Sequence, residues 1–379
     1  MKILIDTRLL SKGRISGIEE YARFVIQHLL DNDSKNTYQF FYSGIKRAQF
    51  PEEWKKKNTT VLEWNIPNKL LELSMRIFGF PHIEEGLNSD IVFSPHFNFL
   101  PKCKKAKRII TFHDLSFVHF PEFYPLRKRF WHWQQAYASQ ARSADAIIAV
   151  SEFTRQDIIA TLGVMPEKVH TVYSGINPYY KQLAETDKTR ATFVAKQGLT
   201  KPFLLFVGTL EPRKNISGII RAFDVVKEDV FNRELQLVIV GKKGWLCDTI
   251  FRDARNAKWA KDIIFWGEAS YEDLRLLYNL TEAFVYPSFF EGFGFPPLEA
   301  QACGAPVITS NRSSLPEIVG DSALLVDPWK VEELACAMQL ILKNDVVKTE
   351  LKKKGLENSR RFNWDKATDE LMRVIHTLE

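Results

Sequence analysis

Cysteine is scarce in this sequence and widely scattered: Cys103, Cys247, Cys303 and Cys336 form no Cys-x-x-Cys pair. That spacing excludes a zinc ribbon and a disulfide framework, so reduced thiols are expected. No apolar run approaches the ~18 to 20 residues that cross a bilayer, and Asp6 interrupts the N-terminal stretch Met1 to Leu10 before a signal-peptide core could form. A cytoplasmic location is therefore expected. Neither half carries Gly-x-Gly-x-x-Gly after its first strand candidate, which disfavours a dinucleotide oxidoreductase. Internal repeats and low-complexity tracts are also missing, and solenoids are set aside. Nucleic acid binding has only basic charge in its support and is not expected.

The chain has 379 residues, 45% hydrophobic and 26% charged, values of an ordinary globular protein with a sizeable core. At ~150 residues per domain, two domains are expected. The formal net charge is +6, and all of the excess lies early: 25 Lys and Arg face 19 Asp and Glu in residues 1–185, against 27 and 27 thereafter. A basic half suits an acidic partner, although such a charge is ordinarily a solvated surface.

Short runs rich in Val, Ile and Phe alternate with segments of helical period, the pattern of parallel sheets covered by helices. Strands are expected at Ile3–Ile5, Tyr38–Tyr42, Thr60–Trp64, Ile91–Phe93, Arg108–Phe112, Ala146–Val150 and Val169–Val172. The second half offers Phe203–Val207, Leu235–Val240, Ile263–Phe265, Ala283–Tyr286, Val307–Thr309 and Ala323–Val326. Ile18, Tyr21, Ala22, Val25, Ile26 and Leu29 make one apolar stripe, with Ser16-Gly17 at its N-terminal end. Asn215 is the expected N-cap of a helix carrying Ile216, Ile219, Ile220, Phe223 and Val226 on one face. The fold class is α/β, with two Rossmann-like domains. The expected boundaries are 1–181 for the first, 182–362 for the second, and a C-terminal helix at 363–379 that could pack on either.

Two elements of the second half carry chemistry. Phe203–Val207 runs into Gly208-Thr209-Leu210-Glu211-Pro212-Arg213-Lys214-Asn215, which sets two cations before a helix whose free N–H groups already favour anions. Arg supplies a planar fork and Lys a compact charge, a combination suited to a diphosphate. An isolated Arg-Lys pair would read as a solvated turn. The second element changes that weighting: Glu291-Gly292-Phe293-Gly294-Phe295-Pro296-Pro297-Leu298-Glu299 follows another apolar strand. Gly292 and Gly294 permit close backbone approach, and Pro296 suits a first helical turn. Glu291 stays in the loop while Glu299 lies one turn into the helix, so each carboxylate can accept two hydrogen bonds from its own diol. Two separated diols with a diphosphate between them describe a nucleotide sugar.

The Glu-x7-Glu pattern, Arg213-Lys214 after Gly208, the Val240-Gly241-Lys242 strand end and Ser16-Gly17 together resemble the family 4 glycosyltransferases, retaining enzymes of GT-B fold. The resemblance extends over nearly the whole chain and is most specific across Phe203–Val326. Ser94-Pro95-His96 and Phe112-His113-Asp114-Leu115-Ser116-Phe117 resemble bacterial mannosyltransferase-type members that build lipopolysaccharide or exopolysaccharide. The resemblance implies two domains facing each other across a cleft, with a nucleotide sugar, best GDP-mannose, as donor. It implies that the acceptor is a glycan or a polyprenyl-diphosphate-linked glycan. By similarity Arg213 and Lys214 bind the donor diphosphate and Glu299 the ribose. Glu291 and the Phe293-Gly294-Phe295 backbone hold the sugar, and Gly17 the distal phosphate from the first domain. His113 is placed at the sugar, and the base near Phe265-Trp266-Gly267-Glu268. One departure is the single Gly17 where many members have two glycines. Retention, by front-face transfer in which the leaving phosphate oxygen helps deprotonate the acceptor, is likewise implied by the resemblance.

The chemistry stands on the residues as well. Breaking a sugar–phosphate bond leaves charge on the departing diphosphate, and fixed cations aimed at it stabilise the transition state more than the ground state. Arg213 and Lys214 can do so without a metal, and no cofactor is expected. Asp31-Asn32-Asp33, after the first helix, reads as a solvated turn and not a magnesium site. His113 ends a strand on the side where ligands gather in open α/β sheets, which favours a sugar contact over a packed polar residue.

The stretch 117–133 interleaves aromatics with Arg127, Lys128 and Arg129, and Lys102, Lys104, Lys105, Lys107 and Arg108 lie nearby. Two readings stay open: a peripheral contact with an anionic membrane, at the inner face of the plasma membrane, or core rings with solvated cations. Rival functions are a phosphorylase or epimerase on the same fold, and a non-catalytic nucleotide-sugar-binding subunit.

Overall fold

Apolar runs that do not alternate with polar residues belong to strands covered on both faces. In the computed structural model, which describes residues 1–12, 17–45 and 50–379, every one of the expected runs is a strand. They are β1 (Lys2–Asp6), β2 (Thr37–Ser43), β3 (Thr59–Trp64), β4 (Ile91–Ser94), β5 (Lys107–Phe112), β6 (Ala146–Ala149) and β7 (Val169–Thr171). The second set is β8 (Phe203–Val207), β9 (Gln236–Val240), β10 (Ile263–Gly267), β11 (Ala283–Tyr286), β12 (Val307–Ser310) and β13 (Leu324–Val326).

The chain divides into two compact units, the first of Met1–Leu115, Leu126–Gly175 and Asn363–Glu379, the second of Ser116–Pro125 and Ile176–Phe362. In unit 1 the sheet order is β3-β2-β1-β4-β5-β6-β7, and in unit 2 it is β10-β9-β8-β11-β12-β13. All pairings are parallel; Val207 registers with Val240 on one side of β8 and Leu205 with Phe284 on the other. The order reverses direction at β1/β4 and again at β8/β11. At such a switch point the flanking connections leave in opposite directions and open a crevice at the carboxyl ends of the strands.

The first helix, Gly17–Asn32, buries Tyr21, Ala22, Val25, Ile26 and Leu29 as its stripe requires, while Ile18 is half-buried. The last helix, Trp364–His376, groups with unit 1, where the Trp364 ring stacks on Phe24 at 5.4 Å. Residues 176–181, expected in the first domain, group with unit 2 because Tyr180 is buried edge-on against Tyr278 at 5.8 Å. Residues 116–125 do the same: the Trp245 indole donates to the Phe123 carbonyl at 2.7 Å, and the Phe123 and Phe289 rings stack at 5.5 Å.

Three strand ends of unit 2 are laced together. The Gly208 N–H donates to Val240 O at 2.9 Å and the Gly241 N–H to Gly267 O at 2.7 Å. Gly241 has φ +143, and a Cβ there would overlap the Gly208 carbonyl oxygen, which is backbone and cannot swing away. Gly241→Ala is therefore expected to destabilise unit 2 by more than ~2 kcal/mol. Urea denaturation measures it, and a loss below ~0.5 kcal/mol would contradict this packing.

Candidate active site

After β8 the chain turns through Glu211, and Pro212–Lys214 forms a single 3-10 turn closed by Lys214 N–H to Glu211 O at 3.2 Å and Asn215 N–H to Pro212 O at 3.0 Å. Proline presets the first dihedral of that turn. Asn215 takes the left-handed conformation, φ +55, which asparagine tolerates. Its expected N-cap bond is not formed: the side-chain amide donates instead to Pro328 O at 2.6 Å. That bond fixes the side-chain orientation, and Oδ1, the acceptor that capping requires, makes no cap bond.

The two chemical elements meet at the β8/β11 switch point. The Arg213 guanidinium makes a fork to Glu211 Oε1, Nε at 3.1 Å and Nη2 at 2.8 Å, while Nη1 reaches Phe290 O at 2.6 Å and Glu291 Oε2 at 2.9 Å. Lys214 Nζ lies 2.6 Å from Glu291 Oε1 and donates to Tyr286 Oη at 2.5 Å; Tyr286 in turn donates to Glu291 Oε1 at 3.0 Å. Two cations and two carboxylates thus form one buried, neutral group with Lys214 8% and Glu291 7% exposed.

Burial by itself would raise the Glu291 carboxyl, but Arg213 and Lys214 outweigh it and hold it at about 2. Burial, then repulsion from Arg213, pulls Lys214 below its ordinary value despite Glu291. Because Glu291 is held below 4.5, its ion pairs stabilise the fold above that pH and lose their effect as pH falls towards 2.

Glu299 stands apart from this group. Gly294, at φ +118, starts the helix Phe295–Ala302, and a Cβ there would press on Leu315 Cδ2 at 2.9 Å. On that helix Glu299 is 7% exposed and its Oε2 accepts from Tyr278 Oη at 2.9 Å. Burial, then the Glu299 charge, pushes the Tyr278 phenol well upward and keeps it a donor. The Phe293 ring turns inward against Phe295 and Phe362, which leaves its backbone on the loop; Ser314 Oγ donates to Glu291 O and Phe293 O, each at 2.9 Å, and Glu291 N–H donates to Ser313 Oγ at 2.9 Å.

In unit 1, Gly17 begins its helix and Tyr21, one turn on, packs edge-on against His113 at 4.8 Å. His113 Nε2 lies 2.8 Å from Pro95 O, so it carries the proton and Nδ1 is left as an acceptor. Burial lowers the imidazole and keeps it neutral. Gly17, Pro95 and His113 follow β1, β4 and β5, around the unit 1 switch point. Ser16, expected beside Gly17, lies outside the described residues.

Trp266, expected near the base, stacks on Phe193 at 5.9 Å, so one ring face serves to dock the helix Lys188–Gln197. Tyr278, Tyr286, Glu211, Ser313 and Ser314 escaped sequence reasoning; only Glu211, two residues before Arg213, was legible as its partner. Asp33 accepts from Tyr38 Oη at 2.6 Å and Asn36 Nδ2 at 2.7 Å, and Asp31 pairs with Lys56 at 2.6 Å, so both acids of Asp31-Asn32-Asp33 are engaged locally. Among the described residues no three or more His, Cys, Asp or Glu side chains gather to hold a metal ion.

Residues 187–362 match the model of glycosyl transferases group 1 and residues 15–179 that of glycosyltransferase family 4. The chain is 32% identical over 291 residues to the O-antigen chain mannosyltransferase B of Escherichia coli, covering 76% of this chain and 74% of that protein. It is 29% identical over 259 residues to the serotype-specific mannosyltransferase WbdA of Escherichia coli, 68% of this chain but 32% of that longer protein. Among solved structures, a sucrose-phosphate synthase from Thermosynechococcus elongatus aligns with TM-score 0.79 at 20% identity, over 100% of this chain and 99% of that one. Anabaena Alr3699/HepE in complex with UDP-glucose aligns with TM-score 0.74 at 15% identity over 100% of both chains. At these identities the structural likeness is one of fold.

Proposed function

The chain belongs to the family 4 glycosyltransferases, and from that premise we propose that it is a retaining, metal-independent hexosyltransferase. Its donor is GDP-mannose, and its acceptor a glycan or polyprenyl-diphosphate-linked glycan in cell-surface polysaccharide synthesis. The observation that carries this reading is the shared grip of Glu291 on Arg213 and Lys214 at the β8/β11 switch point, with Glu299 held separately by Tyr278. The choice of mannose is supported by the relatives named mannosyltransferases.

In this reading unit 2 takes the nucleotide sugar and unit 1 the acceptor. Lys214 has two of its three protons engaged by Glu291 and Tyr286; the third has no acceptor among the described residues and meets the diphosphate. As the sugar–phosphate bond breaks, its electron pair passes to the leaving diphosphate, where Lys214 and Arg213 stabilise the growing charge. The acceptor oxygen attacks the same face of the sugar and gives its proton to a departing phosphate oxygen. Glu299 accepts from the ribose diol, and Glu291 with the Phe293-Gly294-Phe295 backbone orients the hexose. Gly17 offers its helix N-terminus to the distal phosphate, His113 Nδ1 accepts from a sugar hydroxyl, and the free face of Trp266 borders the base.

A panel of nucleotide sugars tests this. GDP-mannose at saturating concentration is expected to raise the unfolding midpoint by about 3 °C or more and to be slowly hydrolysed, with EDTA leaving turnover unchanged. Stabilisation by another donor alone would overturn the choice of mannose, loss of turnover in EDTA the metal independence, and stabilisation by none the transferase reading.

A further inference from the structure

The aromatic and cationic stretch 117–133 does not act as one surface. Its first part is occupied within unit 2, where Phe120 and Phe123 pack on Phe290 and Phe289. Its second part is the unit 1 helix Leu126–Gln134, which holds Leu126 77%, Phe130 55% and Trp133 63% exposed. These three fall at i, i+4 and i+7, one helical stripe directed outward.

A neighbouring helix, Asn68–Phe78, repeats the pattern. Its inner face is Leu71 and Met75, packed in one core cluster with Val92, Leu100 and Ala106. Its outer face carries Leu70, Leu73 and Ile77 at i, i+3 and i+7, 59%, 50% and 62% exposed, extended by Phe78 at 76% and Phe80 at 62%. The two helices are joined at the surface: the Arg76 guanidinium bonds to Gln134 O and lies 4.7 Å over the Trp133 ring, which itself stacks on Phe130 at 5.7 Å. Eight large apolar side chains are therefore exposed on these two adjoining elements of unit 1, more than a solvated surface ordinarily carries.

Charge selects the occupant. Lys69, Arg127 and Arg129 are exposed on these same two helices. The loop before β5 adds the exposed Lys102 and Lys105 beside Ala106, which shares the core under Leu71 and Met75, while Lys104 and Lys107 are paired with Glu85 at 3.0 Å and Asp145 at 3.3 Å. Glu72 is engaged by Gln135 at 3.5 Å. A second copy docking on this face through a two-fold contact would bring cations against cations, which costs affinity. An anionic lipid surface satisfies both properties at once: the rings and aliphatic chains enter the headgroup boundary while the cations meet lipid phosphates. No helix among the described residues is long and apolar enough to cross a membrane, so the contact is in the plane of the surface.

We infer that the outward stripes of the helices Asn68–Phe78 and Leu126–Gln134, ringed by Lys69, Arg127 and Arg129, form a docking face for an anionic membrane. The test uses the full chain and sedimentation with vesicles of phosphatidylcholine, with and without phosphatidylglycerol. Binding is expected only with phosphatidylglycerol, weakening with salt, and falling about 30-fold or more in Arg127→Glu/Arg129→Glu and at least about 10-fold in Leu73→Glu/Ile77→Glu. Both variants are expected to keep the wild-type unfolding midpoint and its shift with nucleotide sugar, which separates this inference from the donor reading. Should a variant misfold, quenching of wild-type Trp133 fluorescence by brominated lipid decides the matter, with Trp133→Phe removing the quenched signal. Equal binding to both vesicle types, unaltered binding by folded variants, no quenching in the wild type, or variants that only change the mass in solution would overturn it.

Discussion

Replacing Lys214 by alanine is expected to lower kcat by ~10²-fold or more, the loss typical of a preorganised group facing developing charge. The substitution removes a cation held by Glu291 and Tyr286 at 2.6 and 2.5 Å. Because the resting group of Glu211, Arg213, Lys214 and Glu291 is neutral, it attracts a ground-state diphosphate weakly. In the proposed mechanism its cations act most as charge accumulates on the leaving oxygens, and kcat is expected to suffer more than KM. The proposed role of Lys214 also predicts an alkaline limb. Burial and Arg213 lower the Lys214 ammonium, so its proton leaves below the ordinary lysine value and turnover falls with rising pH before 10.5 is reached. Steady-state kinetics across pH check both, and turnover near wild type in Lys214→Ala would remove this lysine from the chemistry.

Glu291→Ala has the second large effect, and it reaches stability as well as activity. Without the carboxylate, Arg213 and Lys214 remain close together in a site where Lys214 is 8% exposed, and only Glu211 is left to offset them. Removing one member of a buried charged group costs about 3 to 5 kcal/mol. The same two cations hold the carboxyl well below its ordinary value, which adds stability near neutral pH in the same direction. Denaturant titration at pH 7 is expected to show that loss, shrinking as the wild type itself is weakened between pH 4.5 and 2. A loss below ~1 kcal/mol would mean that water, rather than the protein, already solvates the pair.

The strands were legible because a parallel sheet covered on both faces needs continuous apolar residues, and Phe203–Val207 is buried at all five positions. Arg213, Lys214 and Glu291 stood out in the sequence because they lie in loops that follow buried strands, and Glu299 because of its spacing from Glu291 within a Gly- and Pro-rich turn entering a helix. Tyr286 was hidden by its own strand: it ends β11 and counts as an apolar strand residue, yet its hydroxyl links Lys214 to Glu291. Tyr278 was hidden in the same way on the helix Tyr271–Leu280. Asn215 stands at the N-cap position as its residue type suggests, but its side chain bonds Pro328 O, 113 residues away, a partner that local capping preference carries no information about.

The amino-acid order alone determined two layered α/β halves, the cationic turn after β8 and the spacing that parts Glu291 from Glu299, since these depend on local period, turn chemistry and strand burial. Only tertiary structure decided that Glu291 binds both cations while Glu299 joins Tyr278, that residues 116–125 pack within the second unit, and that Leu70, Leu73 and Ile77 face outward. Each of those outcomes depends on which distant group comes within hydrogen-bonding or van der Waals reach, and a pattern repeating every two or 3.6 residues cannot encode a partner a hundred residues away.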